Sequence, residues 1–290
     1  MEQPSNILFV VNPISGDTNK EEIVQKVKSQ IAQRNLELRT YHTTGDHDLE
    51  KITELLNSFK AHRVLVAGGD GTIKLLAETL RDQDTPLGIL PTGSANGLAY
   101  NLGISEEIDK AIDTALGNRL REIDVICVNN DLCLHMSDLG LNAELVKNYE
   151  SGQLRGKIGY ALQSIPTLIQ SDMPFSFEIT TDEGTIHREG ILLALANAEH
   201  YGTGARVNPE GKMDDGKFEV LVFKKFNVID IAQTLRQEAE LDSDFMEFIA
   251  TTQVKVRCKQ TVPFQVDGEY YGEIDELKAH ILPSHLQVAV

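Results

Sequence analysis

The sequence predicts an N-terminal α/β domain with a doubly wound, mostly parallel sheet, followed by a C-terminal, mainly antiparallel β-sandwich domain with a few helices. Three observations carry this. Before about residue 122, apolar strand-like runs alternate with amphipathic helical patterns, the order expected of a parallel sheet. From Ile123 onward, short β-rich runs are separated by turn residues, which suits an antiparallel sandwich or barrel. A length of 290 residues suits two domains of ordinary size better than one. The expected boundaries are 1–122 and 123–284, with the last strand, 285–290, as a candidate to rejoin the first domain.

Asn6 to Asn12 reads as the first strand, apolar almost throughout, as expected of a strand covered on both faces. Asn12-Pro13-Ile14-Ser15-Gly16 ends it, since Pro and Gly stop regular structure. A helix follows from about Asn19, with Ile23, Val27 and Ile31 at four-residue spacing. Leu36 to His42 alternates as the second strand and runs into Thr43-Thr44-Gly45. Leu49, Ile52, Leu55, Leu56 and Phe59 form the apolar stripe of the next helix. Arg63 to Ala67 is a third, buried strand, followed by Gly68-Gly69-Asp70-Gly71-Thr72 and a helical pattern from Ile73 to Leu80. Leu87 to Leu90 is a short fourth strand, leading into the second glycine-bearing turn, Pro91-Thr92-Gly93-Ser94-Ala95-Asn96-Gly97. A polar helix, about Glu106 to Leu116, closes this half.

These turns converge on the C-terminal edge of the expected sheet, where ligands of open α/β folds sit. Glycines remove the Cβ atoms that would hold a ligand off the backbone, and helix-start amides lack intrahelical partners, so a phosphate is the natural guest. Asp70 is awkward there, because a bare carboxylate repels phosphate. It makes sense if a divalent cation bridges the two, or if it handles a proton or a ribose hydroxyl.

In the second half, strands are expected at Val125–Val128, Phe175–Ile179, Ile191–Ala196, Phe218–Phe223, Val254–Val256 and Phe264–Val266, with helices near 143–150, 158–169 and 228–239. Two stretches look chemical. Gly211-Lys212-Met213-Asp214-Asp215-Gly216-Lys217 packs carboxylates around a glycine, which suits either an oxygen-ligand site for Mg²⁺ or Ca²⁺ or a plain acidic turn. Asp267-Gly268-Glu269 is first of all a hairpin turn.

The net charge of −17 disfavours nucleic acid and general adhesion to anionic membranes. The absence of Trp and an aromatic content of 6% argue against a stacking platform for bases. Cys127, Cys133 and Cys258 have no metal spacing and make no disulfide framework, so a reducing, cytoplasmic setting is expected. The N-terminus reads as a strand and not as a signal peptide, and no apolar run approaches the ~20 residues that span a bilayer.

Five segments in order, Asn12 to Gly16, Gly68 to Thr72, Pro91 to Asn96, Asp214 to Gly216 and Asp267 to Glu269, together resemble the diacylglycerol kinase catalytic family. That family includes bacterial lipid kinases and sphingosine kinases and shares its first domain with NAD kinase. The resemblance implies ATP-dependent transfer of the γ-phosphoryl group to a hydroxyl of a lipid or long-chain alcohol, such as diacylglycerol or a sphingoid base, in a cleft between the domains. It implies that ATP is held by Asn12, Pro13, Ile14, Ser15, Gly16, Thr43, Gly68, Gly69, Asp70, Gly71, Thr72, Ile73, Lys74, Gly93, Ser94 and Asn96, with Thr44 as the alternative to Thr43. It further implies that Asp70 orients catalytic Mg²⁺ and that Glu269 is the general base. A structural metal would take the backbone carbonyls of Lys212 and Lys217 and the carboxylate of Asp215.

Ser94 stands where many members have Thr, Gly97 where many bacterial members have Asp, and Asn142 where Asp is usual. Rival readings are a soluble-metabolite kinase of NAD kinase type and a non-catalytic nucleotide- or lipid-binding regulatory module. Transient membrane contact through Lys147, Arg155 and Lys157, or through Lys224 and Lys225, competes with the reading of these as solvated charges. The sequence fixes no oligomeric state; if the chain assembles, a dimer is the expectation.

Overall fold

The structure, a computed structural model, describes residues 6–16, 18–81, 83–140, 143, 174–201, 205–224 and 245–290. The chain divides into two compact units, Met1–Asp124 with Ser284–Val290, and Val125–Pro283.

In the first unit, β1 (Asn6–Val11), β2 (Glu37–His42), β3 (Arg63–Gly68) and β4 (Leu87–Pro91) form a parallel sheet in the order β2-β1-β3-β4. β3 is buried along its whole length and β1 along nearly all of it, which explains their uninterrupted apolar sequences. β2 is an edge strand with no fully buried residue. The intervening helices are α1 (Lys20–Gln33), α2 (Asp48–Phe59), α3 (Asp70–Thr79), α4 (Gly97–Asn101) and α5 (Ile108–Ala115). α1 buries Ile23, Val24, Val27 and Ile31 and starts at Asn19, whose side chain accepts from the amides of Glu21 and Glu22. α1 packs with α5, and α2 with α3. The chain leaves β1 on one side towards β2 and returns on the other to β3. Right-handed crossovers therefore put α1 on the face opposite α2 and α3, and the topological switch point falls between β1 and β3. Buried Arg63 donates to the carbonyls of Ala115 (2.5 Å) and Gly117 (2.6 Å), closing the C-terminal end of α5.

The second unit contains β5 (Leu120–Val128, from Val125 on), β6 (Asp131–Cys133), β7 (Met136–Gly140), β8 (Phe175–Thr181), β9 (Gly184–Gly190), β10 (Leu192–Ala196), β11 (His200–Tyr201), β12 (Ala205–Arg206), β13 (Phe218–Phe223), β14 (Met246–Thr251), β15 (Gln253–Val266) and most of β16 (Glu269–Ala289). Its main path, β14-β13-β10-β7-β15-β16, is antiparallel throughout. Phe175, Phe177, Leu193, Phe218, Val256 and Phe264 lie in one buried cluster, and Ala194, Leu221, Phe223 and Met246 in another.

The two strands expected at 254–256 and 264–266 are one strand, β15. Its first half pairs with β8 and its second half with β7, and its register with β16 shifts between Arg257 and Val262. That irregularity turns one strand from one layer of the sandwich to the other, and its polar residues mimic a loop in the sequence. The last residues of β16 belong to the first unit, where Val288 pairs in parallel with Leu87 and the amide of Ser284 donates to Asp124. The helices expected near 143–150, 158–169 and 228–239 lie outside the described residues apart from Ala143, as do Asn142, Lys147, Arg155, Lys157 and Lys225.

Candidate active site

The C-terminal ends of β1, β3 and β4 are in register. The amide of Asn12 donates to the carbonyl of Ala67 (2.9 Å), and the amide of Thr92 to that of Gly68 (3.1 Å). Two further bonds tie the turns to one another and shape them. Asn12 Nδ2 donates to Thr72 Oγ1 (2.9 Å), so the first loop is fixed to the first turn of α3, and Asn12 Oδ1 accepts the amide of Ile14 (3.1 Å). Asn96, in the left-handed region at φ 54°, accepts the amide of Gly93 (2.7 Å) and folds its own turn.

The glycines serve the chain itself as well as a ligand. A Cβ on Gly93 would lie 2.4 Å from Gly69 Cα, and one on Gly16 would lie 2.5 Å from the Thr92 carbonyl oxygen. Three turns therefore meet backbone to backbone. A loop of this kind, beside a helix start with no side-chain cap on α3, presents amide dipoles at the edge where the topology puts ligands.

Asp70 resolves its own puzzle. Its Oδ2 accepts the amide of Gly97 (2.9 Å) and its Oδ1 the amide of Leu98 (3.1 Å), the first residues of α4. The carboxylate thus sits against the positive end of a neighbouring helix, which offsets its charge. A carboxylate held in one orientation by two backbone amides is a hard oxygen donor of the kind that suits a hydrated Mg²⁺.

The other residues named from the sequence fall into distinct roles. Pro13 and Ser94 are exposed, and Ile14 is 89% exposed at the tip of its loop. Ser15 Oγ is given to the carbonyl of Asn12 (3.1 Å). Gly71 lies exposed in the first turn of α3. Thr72 and Lys74 are buried in that helix. Ile73 is in the core and its amide is bonded to the Gly69 carbonyl (3.1 Å), so it supports the turn from behind instead of offering a ligand a side chain or an amide.

Thr43 is bonded through its amide to the Val11 carbonyl (2.9 Å), directly beside the end of β1, whereas the Thr44 hydroxyl is occupied by Asp46 and Asp48. Asp48 organises this turn: it accepts from Tyr41 Oη (2.6 Å), the Thr44 amide (3.0 Å) and the Gly45 amide (2.8 Å). Burial pushes its carboxyl up, but these hydrogen bonds outweigh that and hold it below the usual range, while burial and the Asp48 bond push the Tyr41 hydroxyl up to about 12. A depressed folded-state value means that the stabilisation is present above the unfolded value of about 4 and is lost as pH falls through the folded one. Asp48→Asn should therefore cost about 1–2 kcal/mol at pH 7. The difference from wild type should shrink in thermal unfolding below about pH 4; a constant difference would contradict the assignment.

In the second unit, Asp267 (φ 51°) and Gly268 (φ 87°) form a two-residue hairpin turn between the paired residues Val266 and Glu269. The Asp267 carboxylate accepts the amides of Leu134 (2.8 Å) and His135 (2.9 Å), with His135 Nδ1 3.5 Å away. Gln265 Oε1 accepts the amide of Gly268 (2.7 Å), while its Nε2 donates to buried Asp138. Glu269 itself is exposed on a turn held by a buried polar network.

In the acidic loop, Asp215 accepts the amide of Lys217 (3.1 Å), and Lys212, Asp215 and Lys217 are all exposed. Among the described residues no three or more His, Cys, Asp or Glu side chains cluster as metal ligands. Lys224 lies 3.7 Å from Glu247. Two cavities in the second unit have charged walls, one with Glu276, Lys278 and His280, the other with Arg188, Glu189 and Arg257; neither includes Glu269. No helix among the described residues is long and apolar enough to cross a membrane.

A family model described as the diacylglycerol kinase catalytic domain matches residues 6–128, and one described as the YegS C-terminal NAD kinase beta sandwich-like domain matches residues 138–290. The chain belongs to the diacylglycerol kinase and YegS lipid kinase family. It is a kinase, and its family's two-domain organisation matches the parallel and antiparallel units described above. This lipid kinase family member is 27% identical to the diacylglycerol kinase of Bacillus subtilis over 91% of the chain and 89% of that protein. It is 28% identical to the protein of Chromohalobacter salexigens named "Probable lipid kinase YegS-like", over 78% of the chain and 75% of that protein. The solved structure of a diacylglycerol kinase from Bacillus anthracis shares its fold, with a TM-score of 0.78 at 19% identity, covering all of this chain and 98% of that one.

Sequence reasoning missed three residues at the strand edge or in its supports. Lys20 and Thr92 are buried there, and Asp48 shapes the Thr43 turn. The only sequence signal for Lys20 is a cation at the start of a helix, where the dipole disfavours one.

Proposed function

We propose that this kinase transfers the γ-phosphoryl group of ATP to a hydroxyl of a lipid, with diacylglycerol and sphingoid bases as the leading acceptors. The observation that carries it is the backbone-to-backbone meeting of the Gly16, Gly69 and Gly93 turns at the switch point of a parallel sheet, in a chain of the lipid kinase family. Phosphoryl transfer asks chiefly for positioning and charge stabilisation. Asn12 and Asn96, which fix their loops, and Thr43 at the end of β2 are assigned to the nucleotide, with the loops assigned its phosphates. Mg²⁺ bound with the nucleotide would neutralise the phosphate oxygens, with Asp70 as its protein partner. Glu269 is assigned the acceptor's proton, and the buried network under its turn fixes the backbone that carries it. Asp215 with the carbonyls of Lys212 and Lys217 is assigned a structural metal, and reversible contact with a lipid surface brings the acceptor.

The test is an acceptor panel: protein, labelled ATP and Mg²⁺ with diacylglycerol, sphingosine or NAD⁺ in separate reactions. Label should enter one of the lipids and not NAD⁺; label in NAD⁺ alone would replace the lipid reading with a metabolite kinase.

A further inference from the structure

Lys20 is the first residue of α1, where the helix dipole disfavours a cation, and yet it is only 8% exposed. Its ammonium donates to the Ser15 carbonyl (2.5 Å), Thr18 Oγ1 (2.6 Å) and the Thr92 carbonyl (3.1 Å). All three N–H bonds are used, and all three acceptors are neutral. Burial lowers its pKa, and no carboxylate among the described residues acts against that shift. A few bonds away, the Thr92 hydroxyl is buried with no hydrogen-bond partner. A buried cation with no counter-charge among the described residues is costly, and an anionic ligand would offset that cost.

The position is as specific as the charge. Ser15 lies in the first loop and Thr92 just past β4, so this one side chain joins the two segments that Gly16 and Gly93 bring together. The start of α3 faces the same strand edge, and its amide dipoles add to the same positive field. The described part of this edge therefore holds a cation and a helix start, with Asp70 already offset by α4.

We propose that Lys20 is the positioning cation of the nucleotide site: it ties the Asn12–Gly16 loop to the end of β4 and supplies buried positive charge against which a polyphosphate binds. This rests on the ATP reading above. It assigns Lys20 no contact with the reacting atoms; it acts through the loop and through its field.

The test is the dissociation constant of ATP, by calorimetry, for wild type, Lys20→Met and Lys20→Arg, with the unfolding midpoint of each ligand-free protein. Lys20→Met should weaken ATP about tenfold or more, and Lys20→Arg, which keeps the charge and can bridge both carbonyls, should stay within about threefold of wild type. Methionine binding ATP within about twofold of wild type would overturn the proposal. So would a folded Lys20→Arg that weakens ATP about tenfold or more, which also decides the matter if Lys20→Met does not fold. A wild type that binds no ATP would remove the nucleotide reading and this proposal together, whereas the other outcomes leave that reading standing.

Discussion

Glu269→Gln is expected to lower phosphoryl transfer by about 10²–10⁴-fold and to leave ATP binding within about twofold of wild type. Glutamine keeps the size of the side chain and loses its capacity to take a proton. Glu269 is exposed, so the substitution disturbs no packing. Its turn is set by Asp267, which holds the amides of Leu134 and His135, and by Gln265, which holds Gly268. The unfolding midpoint should therefore not move. The readouts are turnover, ATP affinity and thermal unfolding on one preparation. Unchanged turnover would remove Glu269 from the mechanism, and loss of ATP binding would make it a nucleotide ligand instead of a base.

The second large effect is expected of Gly93→Ala. The new methyl would lie 2.4 Å from Gly69 Cα and 2.9 Å from Asn96 Oδ1. Neither the Gly69 backbone nor the Asn96 oxygen, which holds the Gly93 amide, can yield without opening a turn. Overpacking of this kind costs about 1–3 kcal/mol of stability. The larger loss should be in ligand affinity, because the two turns would have to separate at the place where the phosphates are assigned. ATP should bind about 100-fold more weakly, a loss of about 2.7 kcal/mol, with a smaller change in unfolding midpoint. ATP binding that survives Gly93→Ala would mean that the meeting of these turns is not the nucleotide site.

The parts of the fold that could be read from the sequence are those whose signal is local. β1 and β3 announce themselves because both faces are covered and the residues Ile7 to Val11 and Val64 to Ala67 are apolar without a break, and α1 because Ile23, Val27 and Ile31 recur once per turn. β7 was not legible, because buried Ser137 and Asp138 break the apolar pattern; their partner is Gln265, more than a hundred residues away, and no period records that. β15 reads as two strands because its irregular stretch is polar. The site shows the same division. The glycine turns are visible as motifs, but the sequence carries only half of their reason, since the glycines also let the turns touch each other. The bonds from Asp70 to Gly97 and Leu98 connect elements 27 and 28 residues apart, so the sequence could show a carboxylate among phosphate turns but not the helix that offsets it.

The most direct test of the central assignment is transfer of label from γ-labelled ATP with Mg²⁺ into an extracted lipid mixture, with Asp70→Ala as the control. Label in an organic-soluble product, lost with Asp70→Ala, is the predicted result, and the identity of the product names the acceptor. Label confined to water-soluble products would contradict the account.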